Sequence, residues 1–494
     1  MYNKIFASLK YEQRMFLMFL VIYLLVWSLI GLFRTIMPTD TLEGIYWGSL
    51  HDFGTPKHPP LAGWISYISY SLFHKDIFMY FVSQSCILIG AVYIFRLAKC
   101  FLQEKQAMLS VLILIEGCWC YSYITGYYGL NPDVLLLMML PIITFYFYNC
   151  MYKNNPSDWV KLGIIVGLSF LNKYQTAFLI IAMAIWAIKF KKDVFKNKFF
   201  YLSIVLAFLI FLPHLCWLFK YDFFPLSSVE HELTATSWYN HITAPLIFFI
   251  VQIGVIAGTL AIFFITKYRF NSPIQIDKNR EKKDIWFLLL FGFGPIAIHL
   301  IMGFLDGGTM RPRWGFEFWY MTGIMLFYFF PINIEKTEFK FILKLCYSVM
   351  LIIFLALGTL LSVEKNYRSK YPVEKVFNDI QEIWSKNVDT PLKYVGGYIE
   401  WTLPLVIYGK SHPDCILDTY GYENPWIKEK DLKKSGIFMI DRTILEVVKH
   451  TRETCPYLGE DYKIKPTEYK FTLENTFKQK REYSVYYYIV PPME

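Results

Sequence analysis

The side chains best able to do chemistry in this chain are a few charged residues set against long apolar runs. Pro38-Thr-Asp-Thr-Leu-Glu43 places Asp40 and Glu43 three residues apart. If a short helix starts at Thr39 or Asp40, both carboxylates share one face. Such a pair can supply a general base or part of a metal site. The same spacing also describes a helix cap with an acid in the first turn. Asp133, in Gly-Leu-Asn-Pro-Asp-Val, has the same double character. Asn131 can cap a helix that Pro132 opens, and Asp133 then sits in the first turn as a carboxylate at the helix start.

Cations stand in three further places. Thr-Pro-Lys-His-Pro-Pro-Leu holds Lys57 and His58 beside two prolines, which fix φ and keep the preceding residue extended. Lys173 separates two apolar stretches in Leu-Asn-Lys-Tyr, and Arg311 and Arg313 lie between Gly307-Gly308 and an aromatic cluster. A guanidinium offers a planar fork of donors suited to phosphate, although interfacial arginines also snorkel toward headgroups. Acids beside selected cations suit transfer of a group off a phosphate-linked lipid. The cations hold the phosphate while a carboxylate deprotonates an incoming hydroxyl. Glu116 is separate, an acid within the apolar run Leu112 to Trp119, where an ionised side chain costs at least about 2.5 kcal/mol. It reads either as a functional intramembrane acid or as a hydrogen-bonded packing residue. No Ser/His/Asp or Cys/His arrangement, Walker sequence, dinucleotide glycine pattern or zinc-ligand spacing appears.

A membrane-embedded scaffold must position these residues. Of 494 residues, 55% are hydrophobic and 18% charged, below the usual charged share of about 25%. The apolar residues gather into runs near the ~20 residues that cross a bilayer as a helix. Eleven spans are read, at 15–34, 77–98, 107–125, 133–151, 159–171, 174–190, 198–218, 242–266, 285–304, 317–334 and 342–362. One set of connecting loops and helix ends carries most lysines and arginines. The other holds only Arg34, Lys57, Lys75, Lys173, Lys220, Arg311 and Arg313. The positive-inside rule then predicts a cytoplasmic N-terminus and, after eleven crossings, an external C-terminus. The net charge of +9 is therefore a topology signal, not a nucleic-acid footprint. No small-residue cleavage site follows the first apolar run, which reads as a retained helix.

Leu61 to Phe73 is too short to span, and Trp64, Tyr67 and Tyr70 at helical spacing predict an interfacial helix. The chain divides into a membrane domain at 1–362 and a small α/β domain at 363–494. The second opens with a helix over Pro372 to Ser385. Strands follow at 392–398, 436–440 and 483–490, with a helix near 443–449. Its two cysteines, Cys415 and Cys455, could pair in an oxidising compartment.

In combination, the acidic first loop with Tyr46-Trp47, Lys57-His58-Pro59-Pro60-Leu61 with Trp64 three residues on, and Asn131-Pro132-Asp133 resemble GT-C membrane glycosyltransferases. The nearest resemblance is to the bacterial branch related to protein O-mannosyltransferases and lipid A aminoarabinose transferases (glycosyltransferase family 39-like). It runs over about residues 15–330, and Leu171 to Tyr174 and Arg313-Trp314-Gly315 look like further landmarks. The resemblance implies a mainly α, polytopic GT-C fold with about eleven transmembrane helices and interfacial helices in the first outer loop. It implies transfer of a sugar from a polyprenyl-phosphate donor at the periplasmic face of a bacterial inner membrane, by inverting single displacement. The acceptor would be lipid A, core or another envelope glycan, or a protein.

By that similarity Asp40 is the expected base, and Glu43 and Asp133 are companion acids that bind a divalent metal or orient the acceptor. Lys57, His58 and Arg313 would line the donor phosphate. Lys173 and Arg311 are the remaining cations expected there. In many members the first-loop acids are adjacent, whereas Asp40 and Glu43 are three apart, so either is a candidate base. A transporter or flippase of lipid-linked sugars is the alternative. Transporters usually show repeat symmetry and broken helices, and no internal repeat is visible.

Overall fold

The computed structural model describes residues 9–226, 237–270, 280–418 and 427–493. Its apolar runs become helices because a bilayer core leaves backbone groups only one another to bond. Helix α1 (Tyr11–Ser28) opens the bundle, and the first loop folds into α2 (Thr39–Ser49) and α3 (Leu61–Phe73). Then come α4 (Asp76–Ala98), α5 (Glu104–Gly117), α6 (Pro132–Tyr152), and the shorter α7 (Pro156–Phe170) and α8 (Thr176–Phe190). Helices α9 (Lys198–Lys220), α10 (Asn240–Arg269) and α11 (Lys282–Asp306) are long again. A 3₁₀ segment, Pro312–Met321, leads into α12 (Thr322–Phe329), and α13 (Lys336–Val363) closes the bundle.

Among the described residues, seven helices are long and apolar enough to cross a membrane: α1 with its continuation to Phe33, α4, α6, α9, α10, α11 and α13. An eighth is reached if α5 and Cys120–Tyr128, bent by 69°, form one span. The chain is a multi-pass membrane protein. Each of the eleven segments read from the sequence contains helix, but the helices at 159–171, 174–190 and 317–334 are shorter than the seven long ones, at 15, 15 and 8 residues.

Small residues let the first-loop helices touch. A Cβ on Gly48 would lie 2.1 Å from the carbonyl oxygen of Gly63, and one on Gly44 would lie 2.7 Å from Ser66 Oγ. Only glycine permits backbones to approach this closely. The far side of α2 is held by Thr41, whose hydroxyl donates to the Leu130 carbonyl at 3.0 Å.

Beyond α13, α14 (Val373–Asn387) precedes a five-stranded sheet with strand order β2-β1-β3-β5-β4. The strands are β1 (Tyr394–Tyr398), β2 (Asp414–Asp418), β3 (Ile437–Asp441), β4 (Thr467–Glu474) and β5 (Lys480–Val490). β1 pairs parallel with β2 and β3, and β5 pairs antiparallel with β3 and β4. Parallel neighbours need crossover connections, and α15 (Ile399–Tyr408) and α16 (Ile444–Thr454) flank them. Strands β2 and β4 and helix α15 are additions to the sequence reading. Cys415 and Cys455 are both buried free thiols, contrary to the suggested pairing. Successive strand residues face opposite sides, and Cys415 packs into the main core while Cys455 belongs to the cluster beneath the other sheet face.

This sheet region meets the bundle at the end that carries the first loop. Tyr46 Oη lies 2.7 Å from Asp414 Oδ1 and 2.8 Å from the Cys415 carbonyl oxygen. The Met37 amide donates to Tyr408 Oη at 2.9 Å, and the Thr35 amide donates to the Ser369 carbonyl at 2.9 Å.

Candidate active site

Four pieces of chain converge at this end of the bundle. The first is α2, which starts at Thr39 and so puts Asp40 and Glu43 on one face. The second is the Thr55–Pro60 turn. Thr55 Oγ1 accepts from the His58 amide at 2.9 Å and the Thr55 amide donates to the His58 carbonyl at 3.1 Å. That local closure, with prolines behind it, sets Lys57 and His58 in fixed directions. The third is the start of α6, where Asn131 Oδ1 accepts from the amides of Asp133 and Val134 at 2.9 and 3.1 Å. Helix capping and site building are the same act here. The fourth is the 3₁₀ segment that carries Arg313 and Glu317.

Residues 171–175 tie these pieces together. The Leu61 amide donates to the Leu171 carbonyl at 2.9 Å, Asn172 Nδ2 donates to the Pro132 carbonyl at 2.8 Å, and Gln175 Nε2 donates to the Trp314 carbonyl at 2.9 Å. Between them runs a chain of ion pairs. Lys57 pairs with Glu43, and Lys173 pairs with Asp133. Lys173 also reaches Glu317 at 2.9 Å. Arg313 donates from Nη1 to Asp40 at 2.9 Å, and its Nε stands 3.9 Å from Asp133. Arg313 is thus the bridge between the first-loop acid and the acid of α6.

The environments differ across the cluster. Burial pushes the Glu43 carboxyl above its ordinary range, with Lys57 opposing and Asp40 adding to the rise. Burial works against the Lys173 ammonium, but Asp133 and Glu317 outweigh it and hold the lysine above its usual value. Asp40 raises the Arg313 guanidinium further. His58 goes the other way. Burial, with Lys173 nearby, lowers it from 6.5 to about 3. This favours a neutral His58 imidazole over the second cation that the Lys-His pair suggested.

Asp40, Glu43, Lys57, His58, Asp133 and Arg313 all line one narrow cleft of about 30 Å³, room for about one water. Lys173 supports it from behind. Arg311 does not line it; its carbonyl accepts from the Trp314 amide. Glu116 lies elsewhere, 1% exposed at the end of α5, with neither carboxylate oxygen hydrogen-bonded. Sequence reading missed Glu317, fully buried between aromatic residues in Gly-Phe-Glu-Phe-Trp. The signal was the one that singled out Glu116: an acid in an apolar setting needs a partner. Its partner is Lys173.

Glu43 and Asp133 were the candidates for holding a divalent metal or orienting the acceptor. Each is instead matched to a lysine, and among the described residues no three His, Cys, Asp or Glu side chains converge to hold an ion. Four carboxylates face three cations, so ammonium and guanidinium groups balance all but one of the negative charges.

A family model described as Dolichyl-phosphate-mannose-protein mannosyltransferase matches residues 57–217, which include Lys57, Asp133 and Lys173. A lipid A galacturonosyltransferase, RgtD of Rhizobium johnstonii, is 23% identical over 257 residues, 50% of this chain and 52% of that protein. The chain thus matches about half the length of this curated relative. ArnT from Cupriavidus metallidurans, solved with undecaprenyl phosphate, superposes with a TM-score of 0.64 at 12% identity, covering 95% of this chain and 97% of that one. Its apo structure gives 0.59 at 11% identity, covering 96% and 97%. The fold is the GT-C fold of the ArnT structures, and the sequence matches are to membrane glycosyltransferases. The likeness is to the mannosyltransferase-type model at 57–217 and, in fold, to the ArnT architecture over nearly the whole chain.

Proposed function

We propose that the protein transfers a sugar from a polyprenyl-phosphate donor to an envelope acceptor, lipid A or another glycan, at the periplasmic face of the inner membrane. The observation that carries this is the cleft where Asp40, Asp133 and Arg313 meet beside Lys57. A donor phosphate and an acceptor hydroxyl need this mixture of charges. The ArnT structure's bound undecaprenyl phosphate and the lipid A relative support the two substrate classes.

Asp40 serves as the base. Its side chain is 23% exposed to the cleft, whereas Glu43 is 7% exposed and locked to Lys57. The Asp40 carboxylate takes the proton of the acceptor hydroxyl as that oxygen attacks the anomeric carbon. The bond from the anomeric carbon to the phosphate oxygen breaks with inversion, and polyprenyl phosphate leaves with the electron pair. Lys57 and Arg313 hold the phosphate charge as it develops. Glu43 fixes Lys57, and Asp133 with Lys173 fixes the far side of Arg313. No step passes through a metal.

The test is glycolipid profiling by mass spectrometry in a deletion strain complemented with variants. Asp40→Asn should lower transfer by about 10²-fold or more, and Asp133→Asn and Glu43→Gln should also lower it, with normal membrane insertion. Full transfer in all three would sink the assignment. Transfer by purified protein in detergent, with no gradient, separates this reaction from transport.

A further inference from the structure

A second cavity lies away from the acid-lined cleft, between α10, α11 and α12. It measures about 710 Å³, within the ~300–1,000 Å³ typical of ligand pockets. Its walls are apolar, with Ile256, Leu260, Leu289 and Phe293 among them, and Trp319 and Thr322 close one end. Arg280 lines the other end. Helix α11 runs from there to Asp306, which leads on to Arg313, so Arg280 marks the end of the bundle opposite the candidate active site.

A second cation stands at that end. Lys267 is on the same face of α10 as Ile256 and Leu260, spaced by whole helical turns. It is 7% exposed, and its ammonium has no hydrogen-bond partner among the described residues. Two acids at the start of α11 are engaged elsewhere. Glu281 pairs with Lys283 at 2.6 Å, and Asp284 accepts from Tyr152 at 2.6 Å. Buried charges are ordinarily paired, and among the described residues Lys267 lacks an anion. From Ile256 to Lys267 the helix rises about 16 Å, roughly half of the ~30 Å hydrocarbon core. That is the depth of one leaflet.

We propose that this groove binds one anionic glycerophospholipid from the leaflet opposite the active site, its phosphate at Arg280 and Lys267 and an acyl chain along the apolar wall. Basic pockets between transmembrane helices recognise anionic headgroups in this way. The donor's own prenyl tail is the competing occupant, but its phosphate belongs at the other end of the bundle and would leave Lys267 unpaired.

Native mass spectrometry of the full-length protein, with equimolar phosphatidylglycerol and phosphatidylethanolamine, tests this without any sugar transfer. The wild type should retain one phosphatidylglycerol preferentially. Lys267→Gln with Arg280→Gln should cut that preference about tenfold or more. Leu289→Trp, which fills the groove, should lower retention of both lipids. Equal retention by the wild type, or an unchanged preference in the double variant, overturns the proposal. So does undecaprenyl phosphate retention that survives the double variant and is lost in Leu289→Trp. If Leu289→Trp does not fold, the double charge variant decides alone.

Discussion

At the scale of single residues, position in the ion-pair chain separates side chains that look equivalent in the sequence. Asp40 and Glu116 are both acids near apolar helices, yet Asp40 faces the cleft on Arg313 while Glu116 is buried with no hydrogen-bond partner among the described residues. Glu116→Gln should therefore retain sugar transfer within about twofold, against the loss of about 10²-fold expected for Asp40→Asn, both read from glycolipid profiles. His58 makes a prediction in pH. Its folded value, about 3, lies below the ordinary 6.5. Above 6.5 both folded and unfolded states hold it neutral, and its contribution to stability is intact. As pH falls from 6.5 toward 3 only the unfolded state gains the proton, so stability is lost through that window. Thermal unfolding of His58→Gln should show a flatter decline than wild type over the same range.

At the scale of elements, the site depends on how tightly α2 lies on α3. Gly44, Gly48 and Gly63 allow it, and Gly48 has the least room, with the Gly63 carbonyl 2.1 Å from where a Cβ would stand. Backbone cannot yield as a flexible side chain can. Gly48→Ala should cost about 1–3 kcal/mol as overpacking, and by moving α2 it should depress transfer as well. A lower unfolding temperature together with reduced kcat would be the outcome. Unchanged stability would show that the two helices separate more readily than their contact suggests. The Thr55–Pro60 turn works likewise: a hydroxyl closes it locally and prolines stiffen it, so two neighbouring side chains can take opposite electrostatic roles.

At the scale of the whole molecule, the C-terminal sheet is bolted to the helix that bears Asp40. Tyr46, on α2 and 2% exposed, meets the Asp414 carboxylate and the Cys415 carbonyl of β2. Tyr46→Phe would remove a hydrogen bond from each, though the Cys415 amide still donates to Asp414 Oδ1, at a cost of about 0.5–1.5 kcal/mol. Because α2 also carries the base, kcat should fall more than KM rises, and circular dichroism should show the helices intact. Loss of stability with unchanged kcat would make the contact structural only.

The sequence by itself determined what depends on local pattern. Apolar runs of membrane length dictated the helices, the i, i+3 spacing put Asp40 and Glu43 on one face, and Asn131-Pro132 announced the start of α6. Lys57, Lys173 and Arg313 stood out because cations were scarce on their side. Only the tertiary structure decided which cation meets which acid. Arg313 and Asp40 are 273 residues apart, and Lys173 and Glu317 are 144 apart. No periodicity reports such pairs, since they form only when separate helices pack. The same holds for the neutral state of His58, for the short strand β2 with its parallel partners, and for the cationic end of the lipid groove. Each depends on the burial and charge that distant segments bring, and a linear pattern carries no record of those.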